Sequence, residues 1–444
     1  MENRVKIIGN GGREDAIRWK LEQHGHMVVD DLARMTIVGP ETDLVNGIVD
    51  RHGLKNIVGP SRLAARLEGS KLYAKQFMQR HDIPTARWMT YTRNGEGMNQ
   101  CLFDLENMRD YRPEDHYPVV LKEDGLCGGK GVVVCKTKEE AWSNIPHMFI
   151  SNIYKSPSNK ILVEDFVEGV EASCFVLVDY NSYKILPYCK DYKRAYDNNY
   201  GPNTGGMGAI SPVPYITDKV KKLVEERIIK PTIHGMRRDG AVYRGVLYIG
   251  LMIKNGEPYV IEYNVRFGDP ECQILMMLLE DDLYPYLEAT YKDTLDKLPD
   301  PKIYDGAAVT VTLCSKGYPK DYVTGLVING LDTVPKDVEV FRAGVQEKDG
   351  HYLTSSGRVL NVTARAKTLE EARQKVYSAI GENGVNFDSM HYRTDIGELN
   401  EKSGNNNTFE TRNKRRSGRS NTELCRKRFK NHSHFRRADI SSRS

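Results

Sequence analysis

"YVIEYNVRFGDPE", residues 259–271, alternates apolar and polar side chains and then breaks into a Gly-Asp-Pro turn. Successive side chains of a strand point to opposite faces. Tyr259, Ile261, Tyr263 and Val265 are therefore expected on one apolar face, with Glu262, Asn264 and Arg266 on the other. A carboxylate and an amide oxygen two residues apart suit a hard, oxygen-preferring cation such as Mg2+, which also takes substrate phosphates. An arginine just beyond could hold a migrating phosphoryl group. A solvated polar strand face has the same pattern, so the neighbouring chain must decide.

Upstream, "VVLKEDGLCGGKGVVV" (119–134) sets Lys122 and Lys130 at the ends of two strand-like arms around a glycine-rich turn. Backbone amides of such a turn can lie over phosphates while the two ammonium groups neutralise them. The stretch lacks the Lys-Ser/Thr helix start of a P-loop, and a basic surface hairpin reads the same way. Between the two stretches, "GPNTGGMG" (201–208) spends four glycines and a proline on eight positions. Glycine is costly to order, so this is either a surface turn or a loop whose bare backbone lies against a small substrate.

A chain of 444 residues is too long for one core and suggests two to four domains. With 39% hydrophobic and 28% charged residues it reads as globular. No apolar run approaches the ~20 residues of a membrane span, and no signal-peptide core opens the chain. Eight scattered cysteines without zinc-type pairs fit reduced thiols, and a cytoplasmic location is expected. The net charge of +4 hides an asymmetry: residues 401–444 hold 13 Lys/Arg against 4 Asp/Glu, leaving the body at −5.

Along the chain, "RVKIIGNGGREDAIRWKLEQHGH" reads as strand, glycine turn and helix, and "MTIVGPETDLVNGIVDRHG" repeats the plan. "SRLAARLEGSKLYAKQFMQRHDIP" has helical spacing up to Pro84. "NKILVEDFVEG", "EASCFVLVDY" and "YKILPYCKDYKR" read as one antiparallel run, and "DKVKKLVEERIIKPTIHGMRRDG" as a helix. Residues beyond 300 form a smaller α+β pattern, and those beyond 400 lack periodicity and read as disordered.

These motifs in this order, with "VEDFVEGVEAS", resemble the ATP-grasp superfamily and, more closely, the phosphoribosylamine–glycine ligase family. "GNGGRE" (9–14), "VGPE" (38–41), "LEGSK" (67–71), "DYKR" (191–194) and "YRTDIG" (392–397) carry the resemblance from about residue 4 to 398. It implies a multidomain α/β and α+β fold. Residues 1–60 would form a shortened Rossmann-like domain and 61–299 the ATP-grasp domain, with its nucleotide-binding part at about 120–190. Residues 300–400 would form a small C-terminal α+β domain, and 401–444 a basic disordered tail.

It also implies ATP as co-substrate and Mg2+ or Mn2+ as cofactor. Lys122 and Lys130 would contact the phosphates, the backbone from Glu164 to Val167 the adenine, and Glu171 the ribose. Glu262 and Asn264 would hold the cation; "GVLYIGLMI" offers no further acidic ligand. Arg266, Asp191, Lys193 and Arg194 would act at the reaction centre. Gly11, Gly12, Arg13, Asn203, Gly205, Gly206, Gly268 and Asp269 would face glycine and phosphoribosylamine. The implied reaction makes glycyl phosphate, which the amine then attacks.

Two departures lie in the first domain. Only residues 21–36 separate the first helix from the "VGPE" strand, where the family usually has a longer stretch, and Asp15 stands where a histidine is usual. A ligase for a different amine and a non-catalytic nucleotide-binding protein therefore remain alternatives. A monomer or dimer is expected. The basic tail is either a nucleic-acid-contacting arm or a solubilising extension.

Overall fold

A computed structural model describes residues 4–51, 56–107, 117–128, 131–150 and 158–398. Its first sheet is parallel. Strand β1 (Arg4–Ile8) leads through a glycine turn into helix α1 (Gly12–Gln23), and β2 (Met27–Val28), β3 (Met35–Val38) and β4 (Ile57–Val58) complete the order β2-β1-β3-β4. Helices α2 (Glu41–Val45) and α3 (Ile48–Arg51) follow β3. Residues 21–36 thus supply the end of α1, a two-residue strand and a turn, with no helix of their own.

The helix expected before Pro84 is two helices, α4 (Arg62–Gly69) and α5 (Lys71–Arg80). Ser70 separates them in an extended conformation: its hydroxyl accepts from the Tyr73 amide at 3.1 Å, capping α5, and donates to Asp124 at 3.0 Å. A side-chain cap competes with helix continuation, which periodicity alone does not reveal.

Two antiparallel sheets follow. One holds β5 (Trp88–Thr92), β6 (Val119–Glu123), β7 (Val132–Cys135) and β8 (Lys160–Asp165) in the order β5-β8-β6-β7, with α6 (Gly95–Asn107) and α7 (Lys138–Ile150) closing its core. The other contains β9 (Val170–Val178) and β10 (Tyr183–Ile185). The run from 159 to 194 is therefore not one antiparallel unit. The chain leaves the first of these sheets after β8 and enters the second at β9, passing Gly169, where a Cβ would sit 2.5 Å from the Ile253 carbonyl oxygen.

Short strands β11 (Lys190–Asp191), β12 (Arg194–Tyr196), β13 (Tyr200–Asn203) and β14 (Gly208–Ser211) frame the glycine loop. The helix predicted after it is α8 (Asp218–Val224), a wider π turn (Glu225–Ile229) and α9 (Lys230–Arg238). Pro231 cannot donate to the carbonyl four residues back, and the preceding turn widens to accommodate it.

Strands β15 (Gly245–Lys254) and β16 (Glu257–Asn264) complete the order β10-β9-β15-β16. Their pairing slips by one residue: Gly250 faces Glu262, but Leu251 faces Val260. Ile261 is thus the extra residue of a bulge; it and Tyr259 leave the buried apolar face predicted for them, and Val260 is buried instead. Val260, Tyr263, Asn264 and Val265 are buried, and Glu262 and Asn264 are polar groups that this strand brings to the cavity described below.

Helices α10 (Glu271–Leu278) and α11 (Leu283–Lys292) lead to β17 (Ala307–Cys314), β18 (Val338–Arg342), the hairpin β19–β20 (Val345–Lys348, His351–Thr354), β21 (Arg358–Ala366) and α12 (Leu369–Ser378). The last large sheet has the order β11-β14-β17-β21-β18. It takes two strands from residues 190–211, so a unit limited to residues 300–400 does not hold all of it.

Candidate active site

The β5–β8 and β9–β16 sheets, α1 and the glycine loop enclose a cavity of about 520 Å3. On its first wall, Lys122 of β6 and Lys75 of α5 both reach one oxygen of the buried Glu164, at 3.0 and 2.8 Å. Burial disfavours that carboxylate, but Lys122 and Lys75 outweigh burial and hold its pKa below the ordinary value. Its other oxygen has no hydrogen-bond partner among the described residues. Val167, between the two sheets, and the exposed Glu171, at the start of β9, also line the cavity. Lys71, at the start of α5, donates to the Gly125 carbonyl at 2.8 Å and so ties down the glycine-rich turn. Lys130 lies outside the described residues.

On the opposite wall, β16 presents Glu262 and Asn264. Burial raises the pKa of Glu262, but Lys193 above all, then Lys122, Lys71 and Arg266, bring it down to about 2. Lys193 lies 3.5 Å from it, and its own pKa is held well above the ordinary lysine value, chiefly by Glu262. Arg266 is clamped: it lies 3.3 Å from Glu41 and 3.1 Å from Glu68, and donates to Asn264 at 3.2 Å. Glu68 also accepts the Val265 amide at 2.7 Å, which fixes the end of β16.

At the glycine loop, Asp191, Asn203, Gly205 and Asp269 line the cavity, and Arg13 reaches it from α1. Burial and Glu271 push the Asp191 carboxyl well above the carboxylate range, with Lys193 opposing. Arg358 of β21 pairs with Asp269 at 2.8 Å and donates to the Gly205 carbonyl at 2.7 Å, while the Gly205 amide donates to the Tyr318 hydroxyl at 2.9 Å.

Not every expected residue meets this cavity. The Arg194 side chain donates to the Gly201 carbonyl at 2.8 Å and braces the β12–β13 hairpin. Gly11, Gly12, Gly206 and Gly268 do not line it. A Cβ at Gly12 would lie 2.4 Å from Asn361, and one at Gly268 would lie 2.2 Å from Glu271, so both are small for packing. Asp15 accepts the Arg342 amide at 2.8 Å, an anchor to the C-terminal sheet. Conversely, sequence reasoning gave no role to Lys71, Lys75, Glu41, Glu68, Tyr318 or Arg358. Glu41, Glu68 and Lys71 stood inside quoted motifs; for the others no local signal existed.

Comparison with known proteins bears on the family and the fold. The model for the phosphoribosylglycinamide synthetase ATP-grasp (A) domain matches residues 69–272, and that for the C domain of the same enzyme matches 308–399. A phosphoribosylamine–glycine ligase of Clostridium acetobutylicum is 38% identical over 432 residues, covering 89% of this chain and 99% of the relative. The chain belongs to the phosphoribosylamine–glycine ligase family.

The solved phosphoribosylamine–glycine ligase of Thermotoga maritima superposes with a TM-score of 0.76 at 34% identity, covering 88% of this chain and 99% of that one. The biotin carboxylase domain of a Hydrogenobacter thermophilus 2-oxoglutarate carboxylase, solved with ADP and magnesium, shares the fold at a TM-score of 0.64 and 16% identity, covering 87% and 91%. In this ligase-family chain, no helix among the described residues is long and apolar enough to cross a membrane. Nor do the described residues hold a group of three or more His, Cys, Asp or Glu suited to a metal.

Proposed function

We propose that this chain joins glycine to 5-phosphoribosylamine at the expense of ATP, through glycyl phosphate, giving glycinamide ribonucleotide, ADP and phosphate. The observation that carries the reading is the convergence in one cavity of Lys122 and Glu164, Glu262 and Asn264, and the glycine loop with Asp191 and Lys193. Matches at 69–272 and 308–399 support an ATP-grasp region followed by a C domain, within which the last sheet also takes β11 and β14.

A carboxylate is a poor electrophile, so the chemistry needs activation and positioning rather than a protein nucleophile. Lys122 binds the nucleotide phosphates, and Lys130 is proposed to join it. The backbone from Glu164 to Val167 is proposed to face the adenine, and Glu171 the ribose hydroxyls. Glu262 and Asn264 would hold a divalent cation, Mg2+ or Mn2+, which when bound neutralises phosphate charge.

A glycine carboxylate oxygen attacks the γ-phosphorus, and the bond to the bridging oxygen of ADP breaks. Lys193 and Arg266 stabilise the charge on the migrating group. The amine then attacks the glycyl carbonyl, phosphate leaves, and the amine gives up a proton. Asp191, which lines the cavity beside the glycine loop, is placed to accept it. A monomer or dimer acting in the cytoplasm is the proposed setting.

The test is release of ADP and phosphate from purified protein given ATP, magnesium, glycine and freshly generated phosphoribosylamine. Release that depends on glycine and on that amine supports the reading. Turnover with other amines alone would assign a different ligase, and no ATP turnover would overturn the reading.

A further inference from the structure

Lys75, on α5 and 2% exposed, occupies a junction between the two walls of the cavity. Its ammonium lies 2.8 Å from Glu164 and donates to the Thr85 hydroxyl at 2.8 Å. That hydroxyl in turn donates to the Val260 carbonyl at 2.7 Å, and the Val260 amide donates to Pro84 at 2.8 Å. Lys122, the other partner of Glu164, donates at 3.4 Å to the carbonyl of Ile261. The two carbonyls at the β16 bulge are thus both held from one carboxylate. That bulge decides which way Glu262 and Asn264 face.

We propose that Lys75 is a positioning residue for the ligase reaction, setting Lys122 through Glu164 and the cation-ligand strand through Thr85. The charges give the first half of the reason. Two ammonium groups share one carboxylate, so the group keeps a net positive charge towards the cavity; without Lys75, Glu164 and Lys122 would cancel. Geometry gives the second half. Releasing Thr85 frees the Val260 carbonyl, and a bulge that relaxes by one residue turns every later side chain to the other face. This rests on the nucleotide and cation roles proposed above.

The experiment measures ADP binding by calorimetry with and without magnesium, steady-state kinetics and thermal melting. The proteins are the full-length wild type, Lys75→Met, Lys75→Met/Glu164→Gln and Thr85→Val. Lys75→Met should weaken ADP binding and raise the KM for ATP about tenfold, the size of the charge-assisted contact that Lys122 would lose on being neutralised by Glu164. It should also raise the magnesium needed for half-maximal rate, leaving the KM for glycine within about twofold, since the glycine loop is untouched. The double variant leaves Lys122 as the only charge of the group and so restores the net positive charge of the wild type; it should recover nucleotide affinity towards wild type while the raised magnesium requirement persists, because Thr85 stays released. Thr85→Val, which keeps the ion pair, should raise the magnesium requirement alone.

A lower melting temperature with unchanged nucleotide and magnesium dependence would reduce Lys75 to a structural ion pair and overturn the proposal. So would an unchanged magnesium requirement in Thr85→Val, which stands as the decisive variant should Lys75→Met not fold. Wild-type protein that binds ADP and magnesium but forms no amide would sink the ligase reading while leaving these binding tests valid.

Discussion

Gly205 and Gly206 are neighbours that the structure divides into two jobs, and alanine at each should tell them apart. Gly206 is buried at φ +121°, and a Cβ there would lie 2.4 Å from Cδ of Pro270 and 3.0 Å from the Asp191 carboxylate. A proline ring cannot rotate aside, and the Gly206 amide is held by the Thr204 hydroxyl at 3.0 Å. The unfavourable φ costs about 1–3 kcal/mol and the overpacking another ~1–3 kcal/mol. Together, about 2–6 kcal/mol is a large part of the ~5–15 kcal/mol that stabilises a domain. Gly205 is exposed and its φ is not positive; a Cβ there would meet the ends of Arg358 and Tyr318, each at 3.2 Å. Both side chains can shift, so Gly205→Ala should cost less than about 1 kcal/mol. Because they hold the Gly205 carbonyl and amide, it should instead raise the KM for glycine severalfold. Urea denaturation, nucleotide binding and glycine-dependent ADP release would be measured on both variants. A Gly206→Ala protein with the wild-type denaturation midpoint would refute the packing calculation. Normal glycine saturation in Gly205→Ala would return this part of the loop to being a surface turn.

Glu262→Gln should nearly abolish turnover at limiting magnesium while leaving the melting temperature intact, because the side chain is partly exposed and its loss leaves one proposed protein ligand; near-normal activity would remove Glu262 from the cation site. Lys75 has its pKa lowered to about 8: burial and Lys122 lower it, outweighing the attraction of Glu164 and Asp165. Because that lies below the ordinary 10.5, the unfolded chain holds the proton longer, and stability from this group rises between pH 8 and 10.5. The stability of wild type relative to Lys75→Met, followed by denaturation, should therefore increase over that range; a decrease would reverse the assignment. A stop after Asn400 should leave ligase activity and melting unchanged, and only the full chain should show salt-sensitive binding to DNA or RNA if the tail contacts nucleic acid; loss of folding on truncation would show that the tail belongs to the fold.

The order of motifs was legible because phosphate-binding turns and cation-ligand strands need particular residues at short spacing. Glu262 and Asn264 do share a face, as two-residue alternation requires. Alternation could not see the bulge at Ile261, which exists only because β16 pairs with β15 out of step. Nor could it see that Glu164 works with Lys75, or that Arg358 reaches back to Gly205, since those contacts form between distant parts of the chain. The break at Ser70 depends on Asp124 in the same way. Lys130 and residues 401–444 lie outside the described residues.

The sheet that runs β11-β14-β17-β21-β18 stitches the glycine loop into the C-terminal third of the chain. Strand β14 begins immediately after the loop, and its partner β17 arrives almost a hundred residues later in synthesis. Until then β14 is a bare edge, a template for pairing with other chains. The glycine loop can therefore take its final form only after the last third of the body has emerged from the ribosome. A chain interrupted near residue 300 would carry both antiparallel sheets that wall the cavity and an unfinished, adhesive β14 edge, prone to aggregate.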